Sequence, residues 1–219
     1  NSSEITLINT VFNTNSSLKD NGGAIYNTGD LTIKNGDFEN NKVTSGEGDG
    51  GALYTNTGAL TLVDTDFSEN YTKENAEGDL GYGGAIYAQG GTIDIQGGEY
   101  ENNHALTGGA IYVSGKATSV NIENVEFEGN WASDIGALGI FGKNATLTNL
   151  TFTDNYTTGQ YKEFDFNDGG GALFFGAAAQ ATGVASLRNR GREGSEFPMP
   201  LPLVTLEGED RTLALARIS

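Results

Sequence analysis

The stretch Asn21–Asn41, NGGAIYNTGDLTIKNGDFENN, decides the fold. It holds a glycine pair, a short apolar run, a turn, a second apolar run, another turn, and then a Phe followed closely by an Asn. Its parts return along the chain. The Gly-Ala-aliphatic element appears as GGAIY at 22–26, GGALY at 50–54, GGAIY at 83–87, GGAIY at 108–112, IGALG at 135–139 and GGALF at 170–174. The aromatic-x-x-Asn element appears as FNTN at 12–15, FENN at 38–41, FSEN at 67–70, YENN at 100–103, FEGN at 127–130 and FTDN at 152–155. The two alternate strictly, six times each, with 25 to 33 residues from one Asn to the next. A third element lies between them: ITL at 5–7, LTI at 31–33, LTL at 60–62, IDI at 93–95, VNI at 120–122 and LTN at 147–149.

Each period thus carries three short β-prone segments parted by turn residues such as TGD, NGD and GG. The segments alternate with period two, which excludes amphipathic helices. A strand of this length cannot bury its apolar face alone, but stacked repeats bury it continuously. The reading is all-β: a right-handed parallel β-helix of about six three-strand coils over residues 1–183, followed by a C-terminal non-repeat tail, 184–219. Coils about 4.8 Å apart make a rod roughly 30 Å long. The polar inserts KVTSGEGD (42–49), YTKENAEGDLGY (71–82) and YTTGQYKEFDFND (156–168) all fall between the Asn and the glycine pair, as loops at one corner of a solenoid.

Stacking assigns roles to the repeated positions. Phe12, Phe38, Phe67, Tyr100, Phe127 and Phe152 point inward as one aromatic ladder. Asn15, Asn41, Asn70, Asn103, Asn130 and Asn155 stand at the following corner as a ladder of buried amides bonded to neighbouring coils. The competing reading of these Asn residues is ligand binding, but repetition in every coil is what stacking demands. The glycines serve a corner of positive φ or a close approach of backbones. They are not a phosphate loop, since neither Lys-Ser/Thr nor a helix start follows. With Ile25, Leu53, Ile86, Ile111, Leu138 and Leu173 inward, alternation sends Tyr26, Tyr54, Tyr87, Tyr112 and Phe174 outward on one line. That line is either a contact strip for protein or carbohydrate, or a row of rings shielded by the corner inserts.

The pairing of GGA[I/L] with FxxN resembles the repeat of the polymorphic outer-membrane proteins, bacterial surface adhesins, over residues 5–175. The resemblance implies a β-helical passenger at a cell surface or outside the cell, acting in adhesion and self-association. Its partners would be a protein or glycan on another cell surface, or further copies in an extracellular filament. The chain departs from the family in having no Cys and no membrane β-barrel.

Composition bounds the alternatives. The net charge of −17 argues against nucleic acid and anionic membranes as partners. No apolar run reaches the roughly 18 residues of a membrane span, and Asn1 reads as a mature terminus or as the start of an excerpt. A polysaccharide lyase or hydrolase is the catalytic alternative. Yet residues 1–183 hold no Arg and a single His, His104, which reads as a surface loop residue rather than a base. The carboxylate pairs Asp64/Asp66 and Asp165/Asp168 lie in no distinctive motif, and chance pairs are common among 29 acidic residues. No catalytic residue and no cofactor is assigned. Calcium is a marginal option at GEGDGG (46–51) and EFDFNDGGG (163–171), which match neither the EF-hand nor the nonapeptide pattern. The Thr-x-Thr ranks of an ice-binding face do not repeat in register. Sequons occur at Asn1, Asn15, Asn70, Asn144, Asn149 and Asn155 and matter only in a glycosylating host.

The last segment differs in kind. All five arginines and all three prolines follow Gly183. The tail reads as a cap on the open end, as an interaction segment through LVTLEG or TLALARI, or as a stretch foreign to the natural chain.

Overall fold

The structure is a computed structural model and describes residues 4–44, 48–73, 81–158, 170–176, 179–187 and 189. The described residues form strands and turns with no helix. Three sheets of eleven, seven and six strands run the length of the molecule. All their strand pairs are parallel, each strand meeting the strand one repeat away. This is a parallel β-helix.

The three sheets are not the three sequence elements one for one. The GGA-aliphatic strand and the LTI-type strand of a coil share the eleven-stranded sheet, as in Leu53–Thr55 and Ala59–Val63. In two coils they fuse into single strands, Ile86–Gln96 and Ile111–Glu123, with register shifts near Gly90 and Gly91. The aromatic-x-x-Asn element supplies the seven-stranded sheet, for example Asp66–Ser68. The six-stranded sheet consists of two-residue strands just after each Asn, such as Tyr71–Thr72 and Trp131–Ala132.

Register follows from burial. A slip of one residue would turn every inward side chain out. Ile33 pairs with Leu62, Leu62 with Ile95 and Ile95 with Ile122, and all four are buried. Phe12 stacks on Phe38 at 4.7 Å, Phe38 on Phe67 at 4.6 Å and Phe67 on Tyr100 at 5.0 Å. Tyr100 then meets Phe127 at 5.2 Å, and Phe127 meets Phe152 at 4.8 Å. Phe12, in the first coil, is only half-buried. Tyr100 is fully buried, and its hydroxyl has no hydrogen-bond partner among the described residues. Such a group carries a desolvation penalty that Phe lacks. Tyr100→Phe is therefore expected to stabilise the protein by about 1–2 kcal/mol in equilibrium denaturation. No gain would mean that the hydroxyl has found a partner.

The Asn residues form the amide ladder. Asn41 Oδ1 accepts Asn15 N–H at 3.0 Å and Asn15 Nδ2 at 2.8 Å, and Asn70, Asn103, Asn130 and Asn155 repeat this. The second Nδ2 hydrogen goes to a carbonyl of the preceding coil, as from Asn70 to Phe38. The sequons at Asn70 and Asn155 are consequently closed in the fold, whereas Asn144 and Asn149 are exposed.

The glycine pair divides its work. Gly83 has φ +66°, so it makes the turn. Gly84 makes the close approach, because a Cβ there would run into the carbonyl oxygen of Gly109 and the backbone of His104. A second corner, before each aromatic strand, is left-handed at Asn9, Asn35, Asp64, Gly97, Asn124, Asn149 and Gly183.

That last corner revises the boundary. Gly183 is the turn of a further coil. Ala185–Leu187 pairs with Thr151–Thr153, and Asn189 Oδ1 accepts Asn155 N–H at 2.8 Å and Nδ2 at 2.9 Å. The solenoid thus reaches Asn189. The proposed roles of 190–219 lie outside the described residues.

Candidate functional site

A rod whose interior is filled can offer chemistry only on its outside and at its ends. Two rows of rings reach the outside, one on each of two sheets.

The first row contains the aromatics expected to point outward. Tyr26 is 54% exposed, but Tyr54 and Tyr87 are only 4% and 8% exposed, so the free strip read from alternation is not there. Tyr82, from the second insert, lies over Tyr87, its ring 5.8 Å away and 4.6 Å from that of Tyr112, while Tyr54 stands between Tyr26 and Tyr87 at 4.9 and 5.4 Å. The shielding alternative therefore holds for the middle of the row. Tyr112 and Phe174 are half-buried. Between them the degenerate IGALG places Gly139 in register, leaving a gap in the row. Phe141 fills it, 5.1 Å from both Tyr112 and Phe174.

Asp49 stands beside this row. Its Oδ1 accepts Tyr82 N–H at 3.0 Å, while its own N–H donates to Asn21 Oδ1 at 2.7 Å. The residue before a glycine pair thus caps the next coil twice in succession. Burial pushes the Asp49 carboxyl up from 3.8 to about 7, opposed only by the Tyr82 N–H. Its charge in turn raises the phenols of Tyr54, Tyr82, Tyr87 and Tyr112, for which burial is the larger cause. A carboxyl raised by folding contributes stability that is full below pH 4 and lost as pH rises through about 7. Asp49→Asn keeps the acceptor for Tyr82 and removes the charge. Above pH 7 it is expected to stabilise the fold by about 1–2 kcal/mol, allowing for the solvent that reaches this half-buried group, and to be neutral below pH 4. Thermal unfolding across that range checks it, and an equal effect at both ends would refute it.

The second row was not anticipated. Tyr71, His104, Trp131 and Tyr156 each follow a ladder Asn, lie in the six-stranded sheet and are half-buried. Their rings stack at 4.8, 4.5 and 6.1 Å with planes within 11° of parallel. Lys42 extends the row, its Nζ 6.0 Å from the Tyr71 ring centroid. His104 is therefore a strand residue between two aromatic faces rather than a loop residue, and burial pushes its imidazole down to about 4. The faces of these rings are occupied by one another, so the row presents edges and polar tips to solvent. The signal was in the sequence, as the residue after each Asn in FSENY, YENNH, FEGNW and FTDNY.

The other candidates dissolve into the scaffold. Asp64 is a left-handed corner, and Asp66 Oδ1 accepts Glu99 N–H at 2.9 Å. Asp165, Asp168 and most of EFDFNDGGG lie outside the described residues. Among the described residues no three His, Cys, Asp or Glu side chains gather around one point, and no helix is long and apolar enough to cross a membrane.

Comparison with known families matches two segments, 9–28 and 64–89, to the Chlamydia polymorphic membrane protein repeat. Each begins at a left-handed corner, Asn9 or Asp64, and runs through aromatic-x-x-Asn to GGAIY. These two segments are repeats of the polymorphic membrane protein type. Neither a curated protein nor a solved structure matches the chain. In structural terms each matched segment runs from its left-handed corner through the strands of the seven- and six-stranded sheets into the GGA-aliphatic strand, and stops short of the LTI-type stretch that completes the coil. The coils between and beyond the matched segments keep the same ladders, so they are repeats of the same build. Such repeats in a β-helix fit a module of a surface protein.

Proposed function

We propose that this chain is an extracellular or cell-surface β-helical module that acts in adhesion, with a protein or glycan of another cell as its partner. The observation that carries the reading is the row Tyr71, His104, Trp131 and Tyr156. These rings are not needed to fill the core, yet they stand in register on one outer face. Edge-on rings with hydroxyl, imidazole and indole N–H tips offer apolar area with hydrogen-bonding ends, the composition favoured in protein contacts. The reading assigns no catalytic step and no cofactor to the chain. A screen of the purified protein against glycans and cell-surface proteins, repeated with His104→Ser/Trp131→Ser, tests it. Binding that falls at least about tenfold in the variant, with unfolding unchanged, supports the reading. Silence of the native chain, or undiminished binding by the variant, overturns it.

A further inference from the structure

The region around Asp49 shows an incomplete electrostatic arrangement. The carboxylate is half-buried, and among the described residues its partners are the Tyr82 N–H at Oδ1 and, through its own N–H, Asn21. Among the described residues no hydrogen bond reaches Oδ2 and no lysine acts on this group. Its charge acts on the phenols of Tyr54, Tyr82, Tyr87 and Tyr112, and that of Asp134 on Tyr82 and Tyr112. Tyr82 and Tyr112 are half-buried, so the cluster opens to solvent, with their rings 4.6 Å apart and inclined by 46°.

We propose that Asp49, Tyr82 and Tyr112 form a receptor for a basic side chain, the lysine ammonium or arginine guanidinium of a partner protein. Three observations converge. A carboxylate held out of bulk water without a counter-charge gains from a cation that brings one. Inclined aromatic faces attract the same cation through their quadrupoles. A chain of net charge −17 draws basic partners by long-range attraction. Neutral or acidic partners gain from none of these. The acid also has a structural duty, capping Tyr82 N–H, that an amide performs equally well at Asn21 one coil earlier. The capping alone therefore leaves the choice of a carboxylate here unexplained, and a cationic guest accounts for it. Tyr112 belongs to the eleven-stranded sheet and the row that carries the adhesion reading to the six-stranded one, and the two share no residue, so each can fail alone.

The test is a titration of the full chain with short glycine-serine peptides carrying lysines, arginines or, as control, glutamates, at about 0.15 M salt. Tyrosine resonances are followed by NMR. The expected result is that lysine or arginine peptides shift Tyr82 and Tyr112, and that Asp49→Asn and Tyr112→Leu each weaken binding at least about fivefold. Glu101→Gln, which removes an exposed charge on the seven-stranded sheet, is expected to change it less than about twofold. Equal weakening by Asp49→Asn and Glu101→Gln would reduce the effect to diffuse attraction and overturn the site. So would resonance shifts confined to other tyrosines, or no binding by either basic peptide.

Discussion

Replacing Asn103 by Leu is expected to remove about 3–6 kcal/mol of stability. Asn103 Oδ1 accepts both Asn70 N–H at 2.9 Å and Asn70 Nδ2 at 3.0 Å, and its own Nδ2 donates to Phe67 O at 2.9 Å and to Asn130 Oδ1 at 3.0 Å. Leu fills a similar volume but meets none of these groups. Asn70 N–H and one Asn70 amide hydrogen are then left without partners at a fully buried corner, each at about 1–3 kcal/mol, and the Phe67 carbonyl loses its side-chain donor, partly relieved by relaxation. Asn130 Oδ1 keeps Asn103 N–H at 3.0 Å, so the damage stays on one side of the rung. The comparison is Asn15→Leu, at a half-buried rung whose side chain bonds, among the described residues, to Asn41 alone, where the loss should be about 1 kcal/mol. Chemical denaturation of both variants decides the matter. A loss below about 1 kcal/mol at Asn103 would mean that the amides are ornaments of stacking rather than its fasteners.

The second large effect is expected from one methyl group. Gly84→Ala should destabilise by about 3 kcal/mol or more, or prevent soluble expression. The new Cβ would strike the Gly109 carbonyl and the backbone of His104, and backbone held by sheet hydrogen bonds on both sides has nowhere to move. Gly115→Ala is the matched control. Gly115 is exposed, and a Cβ there would meet only Phe141 O at 3.4 Å, so the change should fall within about 0.5 kcal/mol of neutral. Melting temperatures of the two variants give the contrast, and similar values would remove the close-approach argument.

The residues that stack were legible because stacking enforces repetition. Phe38, Phe67 and Phe127 meet one another's neighbours in register only if every coil spends the same position on an aromatic, and the Asn ladder obeys the same logic. The outer rows were less legible. Alternation fixes which face a side chain takes but not what an insert lays across it, so Tyr87 reads as exposed until Tyr82 covers it. The six-stranded sheet has strands of two residues, too short to show any period, and its row of rings went unread for that reason. The further coil was hidden by one substitution. ATGVASLRN at 181–189 aligns with LTNLTFTDN at 147–155 corner to corner, but Ser186 stands in the aromatic position opposite Phe152.

The direction of the backbone hydrogen bonds has a mechanical consequence. They run from coil to coil, along the rod, so a pull on the two ends loads each interface in turn instead of shearing whole strands at once. A turn stacked on one side only yields before those stacked on both. One turn contains 25 to 34 residues yet adds about 4.8 Å to the rod, and released as extended chain it spans roughly 80–110 Å. Under tension the molecule would lengthen turn by turn from an end, about twentyfold for each turn surrendered. Tethered between two surfaces, it is a spool that gives way gradually instead of snapping.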